Sequence, residues 1–160
     1  MTIKVGDSVP HAVLTKMTEN GPAPVDTNEL FGGRTVALFA VPGAFTPTCS
    51  AKHLPGFIEK ADEIGGKGID EIVCLSVNDA FVMGAWAKAS GAEGKITMLA
   101  DGNGDFAKAL GLTMDGSRFG MGTRAQRFSM LVKDGKVTEL NVEEPGAFKV
   151  SSAEHLLSQL

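Results

Sequence analysis

The chain contains the stretch Thr35-Val-Ala-Leu-Phe-Ala-Val41, followed at once by Pro42-Gly-Ala-Phe-Thr-Pro-Thr-Cys49. Its first seven residues are apolar or β-branched and are bounded by Gly32-Gly33 and Pro42-Gly43, a pattern typical of a buried central strand. A Gly/Pro-rich loop then leads from the end of that strand to Cys49. Because open α/β sheets bind ligands at the carboxyl ends of their strands, the stretch predicts an α/β fold with a functional loop here.

Further strands and helices alternate on the C-terminal side. Apolar positions three and four residues apart between Thr48 and Ile64 predict a helix whose first turn contains Cys49. The remaining pattern predicts, in order, a strand over 72–77, a helix from Asn78 or Asp79 to Ser90, a strand over 96–100, a short helix over 105–110, a hairpin over 128–142 turning at Asp134-Gly135, and a last helix begun by a capping box at Ser151-Ser-Ala-Glu154.

This order of elements predicts the sheet topology. Strands that alternate with helices pair in parallel, and the closing hairpin adds antiparallel strands. We therefore expect a mixed central β-sheet flanked by helices on both faces. A chain of 160 residues fits one domain, and we expect that domain to span 1–160.

Composition excludes several classes of function. The net charge is −4 and the Lys and Arg residues are scattered, so no nucleic-acid partner is expected. No apolar run approaches the roughly 18 residues of a membrane-spanning helix, and the N-terminus lacks the apolar segment of a secretory signal. We expect no membrane partner and a cytoplasmic location.

Cys49 and Cys74 are too few for a disulfide scaffold. At the start of a helix, unpaired backbone N–H groups and the positive end of the helix dipole favour a thiolate, which makes Cys49 a candidate nucleophile. Thr46 can supply a hydroxyl nearby, while Pro42 and Pro47 stiffen the loop. Taken alone, a cysteine is more often a small buried apolar residue, and it is the surrounding loop that favours a nucleophile here.

The segment Pro42-Gly-Ala-Phe-Thr-Pro-Thr-Cys49 resembles the active-site signature of the peroxiredoxins, in particular the type II or peroxiredoxin-5 class. That signature is Pro, three residues, Thr, two residues and Cys, and it is matched at Pro42, Thr46 and Cys49. The resemblance continues in His53-Leu-Pro-Gly-Phe57, Cys74-Leu-Ser-Val-Asn-Asp-Ala-Phe81, Leu99-Ala-Asp101 and Arg127-Phe-Ser-Met130. It implies a thioredoxin-like fold and a cysteine-dependent peroxidase that needs no metal, haem or flavin.

The resemblance also implies residue roles. Cys49 attacks hydrogen peroxide or an alkyl hydroperoxide as a thiolate and becomes a sulfenic acid. Thr46 binds the peroxide through its hydroxyl, and Pro42 shields the oxidised sulfur from solvent. Arg127 stabilises the thiolate and the charge that moves to the departing oxygen.

Neighbouring basic residues are harder to assign. Arg118 and Arg124 lie close to Arg127 in sequence, and spacing alone does not choose among the three. Arg124 is a candidate supporting residue, whereas Arg118 fits a solvated surface. His53 lies one helical turn after Cys49, where a general-base role or a structural role is open. His11 and His155 carry no motif.

The regenerating thiol is a separate question. Some members of the class have a resolving cysteine near the C-terminus, but residues 146–152 contain none. Cys74, in a predicted central strand, is either structural or a resolving thiol that needs local unfolding to meet Cys49. We therefore expect an external reductant, either glutathione with glutaredoxin or thioredoxin. The resemblance further implies a homodimer, with Phe45 and Phe81 as candidate contacts.

Three other functions remain to be weighed. A thioredoxin-like disulfide oxidoreductase normally uses Cys-x-x-Cys, but position 52 is Lys. A non-enzymatic peroxide sensor would relay oxidation from Cys49 to a partner protein. A zinc site built from Cys49, His53 and Cys74 lacks a fourth ligand, so no metal is expected.

Overall fold

The computed structural model describes residues 2–160. Its strands are β1 Val13–Thr18, β2 Gly21–Asp26, β3 Thr35–Val41, β4 Glu71–Ser76, β5 Thr97–Ala100, β6 Thr113–Asp115, β7 Thr123–Ala125, β8 Phe128–Lys133 and β9 Lys136–Val142. They form a seven-stranded sheet of order β2-β1-β5-β4-β3-β8-β9 and a small two-stranded sheet that pairs β6 with β7.

The helices surround this sheet. They are α1 Thr27–Phe31, a π-helical segment Cys49–His53, α2 Leu54–Glu59, α3 Ala61–Gly66, α4 Ala80–Ser90, α5 Asp105–Leu110, a 3₁₀ turn Ser117–Phe119 and α6 Ala153–Ser158. Within residues 2–160, no helix has the length and apolar character needed to span a membrane.

Strand pairing follows the predicted mixed pattern. Strands β3, β4 and β5 are parallel neighbours, whereas β8 pairs antiparallel with β3 and β9 pairs antiparallel with β8. The β8–β9 turn has positive φ at Asp134 (48°) and Gly135 (76°), as a tight hairpin turn requires. The predicted α/β sheet with a closing hairpin is confirmed.

Side chains of β3 alternate between the two faces of the sheet. Phe39 and its same-face neighbours pack in one apolar cluster with residues of α2, α3, α4 and α6, and Cys49 and Cys74 belong to that cluster. Leu38 and its same-face neighbours pack in a second cluster with α1 and α5. Helices therefore cover both faces, and both cysteines lie on the same face of the sheet.

Three local features differ from the expectations. The helix predicted between Thr48 and Ile64 is divided, because Pro55 has no N–H for the carbonyl of Ala51 and the backbone at Lys60 leaves helical geometry (φ −100°, ψ 9°). The first hairpin, β1–β2, was not predicted from the sequence. The capping box at Ser151 is wrong by one residue: Ser152 caps α6 by accepting a hydrogen bond from the backbone N–H of His155.

Candidate active site

Cys49 lies at the carboxyl end of β3, beyond the Pro42–Thr46 loop. Helical backbone begins at Pro47, and Cys49 is the first residue of the π-helical segment. Its side chain is fully buried, and the thiol is not in a disulfide. The backbone N–H of the next residue, Ser50, donates to the carbonyl of Thr46 at 2.9 Å and so fixes the first turn on the loop.

The π-helical geometry has a local cause. Leu54 N–H donates to the carbonyl of Cys49, five residues back, and the next residue, Pro55, has no N–H to donate. The wide turn places the side chains of both Cys49 and His53 in the buried layer. Such insertions are frequent at functional sites because they redirect side chains within a helix.

Arg127, just before β8, reaches the sulfur directly. Its Nη2 donates to Cys49 Sγ at 3.1 Å, and its Nη1 lies 2.9 Å from Nδ1 of His53. The guanidinium thus spans two acceptors with its planar array of donors, which an ammonium group does not reproduce. Of the three neighbouring arginines, it is this one that meets the thiol.

His53 is buried on the far side of Arg127. Its Nε2 lies 2.8 Å from the carbonyl oxygen of Ser151. Because a carbonyl only accepts and a guanidinium only donates, these contacts assign the proton to Nε2 and leave Nδ1 as the acceptor. Burial, followed by the charge of Arg127, lowers the pKa of His53 to about 3, so the ring is neutral near pH 7. With Nδ1 occupied by Arg127, the ring has no free acceptor for a proton from Cys49.

The Pro42–Thr46 loop is held from several sides. The hydroxyl of Thr46 donates to the carbonyl of Gly43 at 2.6 Å. Arg124 donates through Nη1 to the carbonyl of Pro42 at 3.3 Å, and Asn78 Oδ1 accepts from Ala44 N–H at 3.0 Å. Phe45 adopts a φ of +64°, which an L-residue reaches only at a cost. These contacts maintain a strained loop beside the sulfur.

Of the remaining residues considered from the sequence, Arg124 contacts the loop beside Cys49, whereas Arg118 does not. Arg118 is exposed on the 3₁₀ turn, whereas Arg124 braces the loop. Cys74 is buried in β4 opposite Phe39, and both burial and a neighbouring Cys49 charge raise the pKa of its thiol well above the ordinary value. Neither geometry nor chemistry makes Cys74 a ready nucleophile in this conformation.

Some site residues were missed by sequence reasoning. Glu143 accepts four hydrogen bonds from residues 149–151, and Phe148 packs on His53 with ring centroids 5.0 Å apart. The single tryptophan, Trp86, donates through Nε1 to Ser50 Oγ at 3.1 Å. The sequence offers only two adjacent acidic residues, Glu143 and Glu144, at the end of a predicted strand, and nothing in it marks Glu143 because its partners lie in a later loop.

Metal binding finds no support in the described part of the chain. Among residues 2–160, no group of three or more His, Cys, Asp or Glu side chains is arranged to hold an ion. A groove of about 670 Å³, with Met17, Gly84 and Met98 among its lining residues, lies toward the opposite ends of the parallel strands. It contains none of the residues that surround Cys49.

Comparison with known proteins gives a consistent result. The redoxin family matches residues 4–157. Peroxiredoxin-2E-2, chloroplastic, of Oryza sativa subsp. japonica is 51% identical over 99% of this chain and 73% of its own length. Peroxiredoxin-2B of Arabidopsis thaliana is 49% identical over 99% of this chain and 98% of its own. The crystal structure of reduced Prx3 from Vibrio vulnificus in complex with hydrogen peroxide superimposes with a TM-score of 0.95 at 52% identity, covering 99% of both chains.

Proposed function

This chain belongs to the redoxin family as a type II peroxiredoxin, which is a thiol-dependent peroxidase with a thioredoxin-like fold, and we propose that Cys49 is the thiol that peroxides oxidise. One observation carries the assignment: the guanidinium of Arg127 donates to Cys49 Sγ at 3.1 Å at the start of a helix. A positive donor and a helix N-terminus together favour a thiolate.

The reaction at Cys49 is a displacement at oxygen. The thiolate attacks one peroxide oxygen, an S–O bond forms, and the O–O bond breaks. Sulfur is oxidised to a sulfenic acid while the peroxide is reduced, and the departing oxygen takes a proton to leave as water or an alcohol. No metal or organic cofactor is needed for this balance.

Arg127 acts on both charged states of that displacement. It stabilises the negative charge on sulfur before the attack, and its N–H donors can then stabilise the negative charge that develops on the departing oxygen. His53 orients the guanidinium, because its Nδ1 accepts from Nη1 at 2.9 Å. We therefore assign His53 a positioning role rather than that of a general base.

Thr46 and Pro42 shape the peroxide site. The hydroxyl proton of Thr46 is directed to the carbonyl of Gly43, so its oxygen is left to accept a hydrogen bond from a hydroperoxide O–H. Pro42 presents a ring without an N–H, and its carbonyl is held by Arg124. Since Cys49 is fully buried, a peroxide reaches the sulfur only after a local opening of its surroundings.

An external thiol completes the cycle in this proposal. Glutathione condenses with the sulfenic acid, releasing water and forming a mixed disulfide that glutaredoxin and a second glutathione reduce; thioredoxin is the other candidate. The burial of Cys74 within a paired central strand supports an external route, because that thiol meets Cys49 only if the strand or the helix moves.

Assembly and location complete the proposal. Phe45 and Phe81 are 54% and 68% exposed, which supports a homodimer that buries them. Light scattering of wild-type protein beside the Phe45→Ser/Phe81→Ser double variant tests that assembly. A cytoplasmic location stays a proposal, and one relative at 51% identity is named as chloroplastic.

Steady-state peroxide consumption tests the function. Wild-type protein should turn over many equivalents of peroxide with glutathione and glutaredoxin or with thioredoxin, and Cys49→Ser should consume none. A sensor protein would instead stop after one equivalent per chain with every reductant, and that outcome would contradict catalytic turnover.

A further inference from the structure

A carboxylate remote from the sulfur is connected to it by an unbroken series of contacts. Glu143, which follows β9, is 7% exposed, and its Oε2 accepts hydrogen bonds from the backbone N–H groups of Lys149, Val150 and Ser151 at 2.8, 2.9 and 2.8 Å. The Ser151 hydroxyl donates to the same oxygen at 2.7 Å. Residues 149–151 are thereby held as a strap, defined here as the backbone segment bound to Glu143.

The strap ends on the imidazole of His53. The carbonyl oxygen of Ser151 accepts from Nε2–H at 2.8 Å, while the same residue is held by Glu143 through its N–H and its hydroxyl. Phe148, just before the strap, packs on the ring of His53 and lies beneath the guanidinium of Arg127, whose carbon is 5.9 Å from the ring centroid. The strap thus contacts His53 directly, and Phe148 beside it contacts both His53 and Arg127.

The choice of histidine tautomer gives this connection a chemical consequence. A neutral imidazole carries one proton, and a carbonyl placed at Nε2 selects the tautomer that leaves Nδ1 as an acceptor. If that proton moved to Nδ1, two donors would face each other across the 2.9 Å separating Nδ1 from Nη1 of Arg127. The guanidinium would then move away from its position beside Sγ.

We propose that Glu143 is a positioning residue for the thiol chemistry: by holding the strap it fixes the Nε2–H tautomer of His53, which in turn orients Arg127 on Cys49. This inference rests on the proposed role of Cys49 and adds a residue that touches neither the sulfur nor the peroxide. Burial alone would raise the pKa of Glu143, but the hydrogen bonds from Ser151, Lys149 and Val150 outweigh it and lower that pKa, so the carboxylate is charged near pH 7.

A double-mutant cycle between Glu143 and His53 tests the proposal. The measured quantity is the single-turnover rate constant for oxidation by hydrogen peroxide, which does not depend on the reductant. Glu143→Gln should lower it about tenfold, roughly the effect of losing one hydrogen bond to a charged group. In a His53→Phe background, where the imidazole link is gone, Glu143→Gln should change the rate less than twofold. A full tenfold loss in both backgrounds would overturn the proposal.

Asp101→Asn is the matched control for a carboxylate with a purely local role. Asp101 is also buried and accepts hydrogen bonds from the backbone N–H groups of Phe106 and Ala107, at 3.1 and 2.8 Å, but has no contact with His53. Its replacement should lower stability without lowering the rate constant of the folded protein. An equal loss of rate in Asp101→Asn would assign the Glu143 effect to general loosening.

The imidazole itself supplies a second readout. Nitrogen-15 spectra of the histidine side chains should show the Nε2–H tautomer of His53 in the wild-type protein and a mixture in Glu143→Gln. An unchanged tautomer would contradict the mechanism.

A second variant serves if Glu143→Gln does not fold. Ser151→Ala removes one donor to the carboxylate and should lower the rate constant by less, about threefold, with the same dependence on His53. An unchanged rate constant in Ser151→Ala would also count against the positioning role of Glu143.

Alkylation separates this inference from the peroxidase assignment. In a Cys74→Ser background, the rate of iodoacetamide reaction reports the thiolate of Cys49 without any peroxide. If alkylation shows the Glu143–His53 coupling while peroxide is not reduced, the proposed function fails and the positioning role stands. If peroxide is reduced but neither reaction shows the coupling, the positioning role fails alone.

Discussion

Replacing Arg127 with methionine removes the charged donor that contacts the sulfur and leaves an unbranched apolar side chain in its place. The lost contact is a charge-assisted hydrogen bond of 3.1 Å from Nη2 to Cys49 Sγ. Hydrogen bonds of this kind contribute about 1.5–3 kcal/mol, which corresponds to about a 10- to 150-fold slower reaction with peroxide. The loss should be larger if the departing oxygen also depends on the guanidinium.

The assay is single-turnover oxidation by hydrogen peroxide, followed through the fluorescence of Trp86. This side chain donates a hydrogen bond to Ser50, the residue next to Cys49. Arg127→Lys should recover only part of the loss, because one ammonium does not span both Sγ and Nδ1 of His53. Arg118→Met is the matched control and should react at the wild-type rate, since Arg118 is exposed. A folded Arg127→Met protein that reacts within twofold of the wild-type rate would show that this contact does not assist the reaction with peroxide.

Three further outcomes follow from the geometry. The pKa of His53 is about 3 in the folded protein against 6.5 for an ordinary histidine, so the unfolded chain takes up the proton first as the pH falls. The free energy of unfolding should therefore fall by about 1.4 kcal/mol for each pH unit as the pH is lowered from 6.5 to 3. Denaturant titrations of His53→Gln, whose side chain does not titrate, should lack this contribution, and an identical pH dependence in the variant would count against the shifted pKa. Thr46→Val should lower the rate with peroxide about tenfold whereas Thr46→Ser retains most of it, because only the hydroxyl accepts from the substrate; equal rates for the two variants would remove Thr46 from the peroxide site. Cys74→Ser should keep steady-state turnover with an external reductant, and loss of turnover with every reductant would make Cys74 the resolving thiol.

Local signals made the centre of the site predictable. The apolar run of β3 and the loop after it locate Cys49, because both depend on residues adjacent in sequence. Asp79 caps α4 by accepting from Val82 N–H, and Gly91 ends that helix with a φ of 76°, both as expected from sequence. These features are determined by backbone requirements of single residues, so they can be recognised without a structure.

The elements that the sequence did not predict either contain residues that disfavour their structure or depend on partners far along the chain. Strand β2 contains Pro22 and Pro24, which weaken a strand pattern but are tolerated because β2 is at the edge of the sheet. Helix α6 is capped by Ser152 instead of Ser151 because Glu143, eight residues before Ser151, already binds the N–H and the hydroxyl of Ser151.

Long-range contacts explain the rest of the site. Arg127 is 78 residues from Cys49, and Ser151 is 98 residues from His53. Spacing among Arg118, Arg124 and Arg127 carries no information on which guanidinium reaches the sulfur, because that depends on how β8 pairs with β3. The resemblance to a known family favoured Arg127 beforehand, but its bond to His53 became visible only in the folded chain.

Whether Cys49 is the thiol that peroxide oxidises can be measured by adding one equivalent of hydrogen peroxide to the reduced protein in the presence of a sulfenic-acid trap and locating the adduct by peptide mass spectrometry. We predict one adduct per chain on Cys49, none on Cys74, and loss of the adduct together with peroxide consumption in Cys49→Ser. An adduct found on Cys74, or peroxide consumed at the wild-type rate by Cys49→Ser, would show that Cys49 is not the peroxide-reactive thiol.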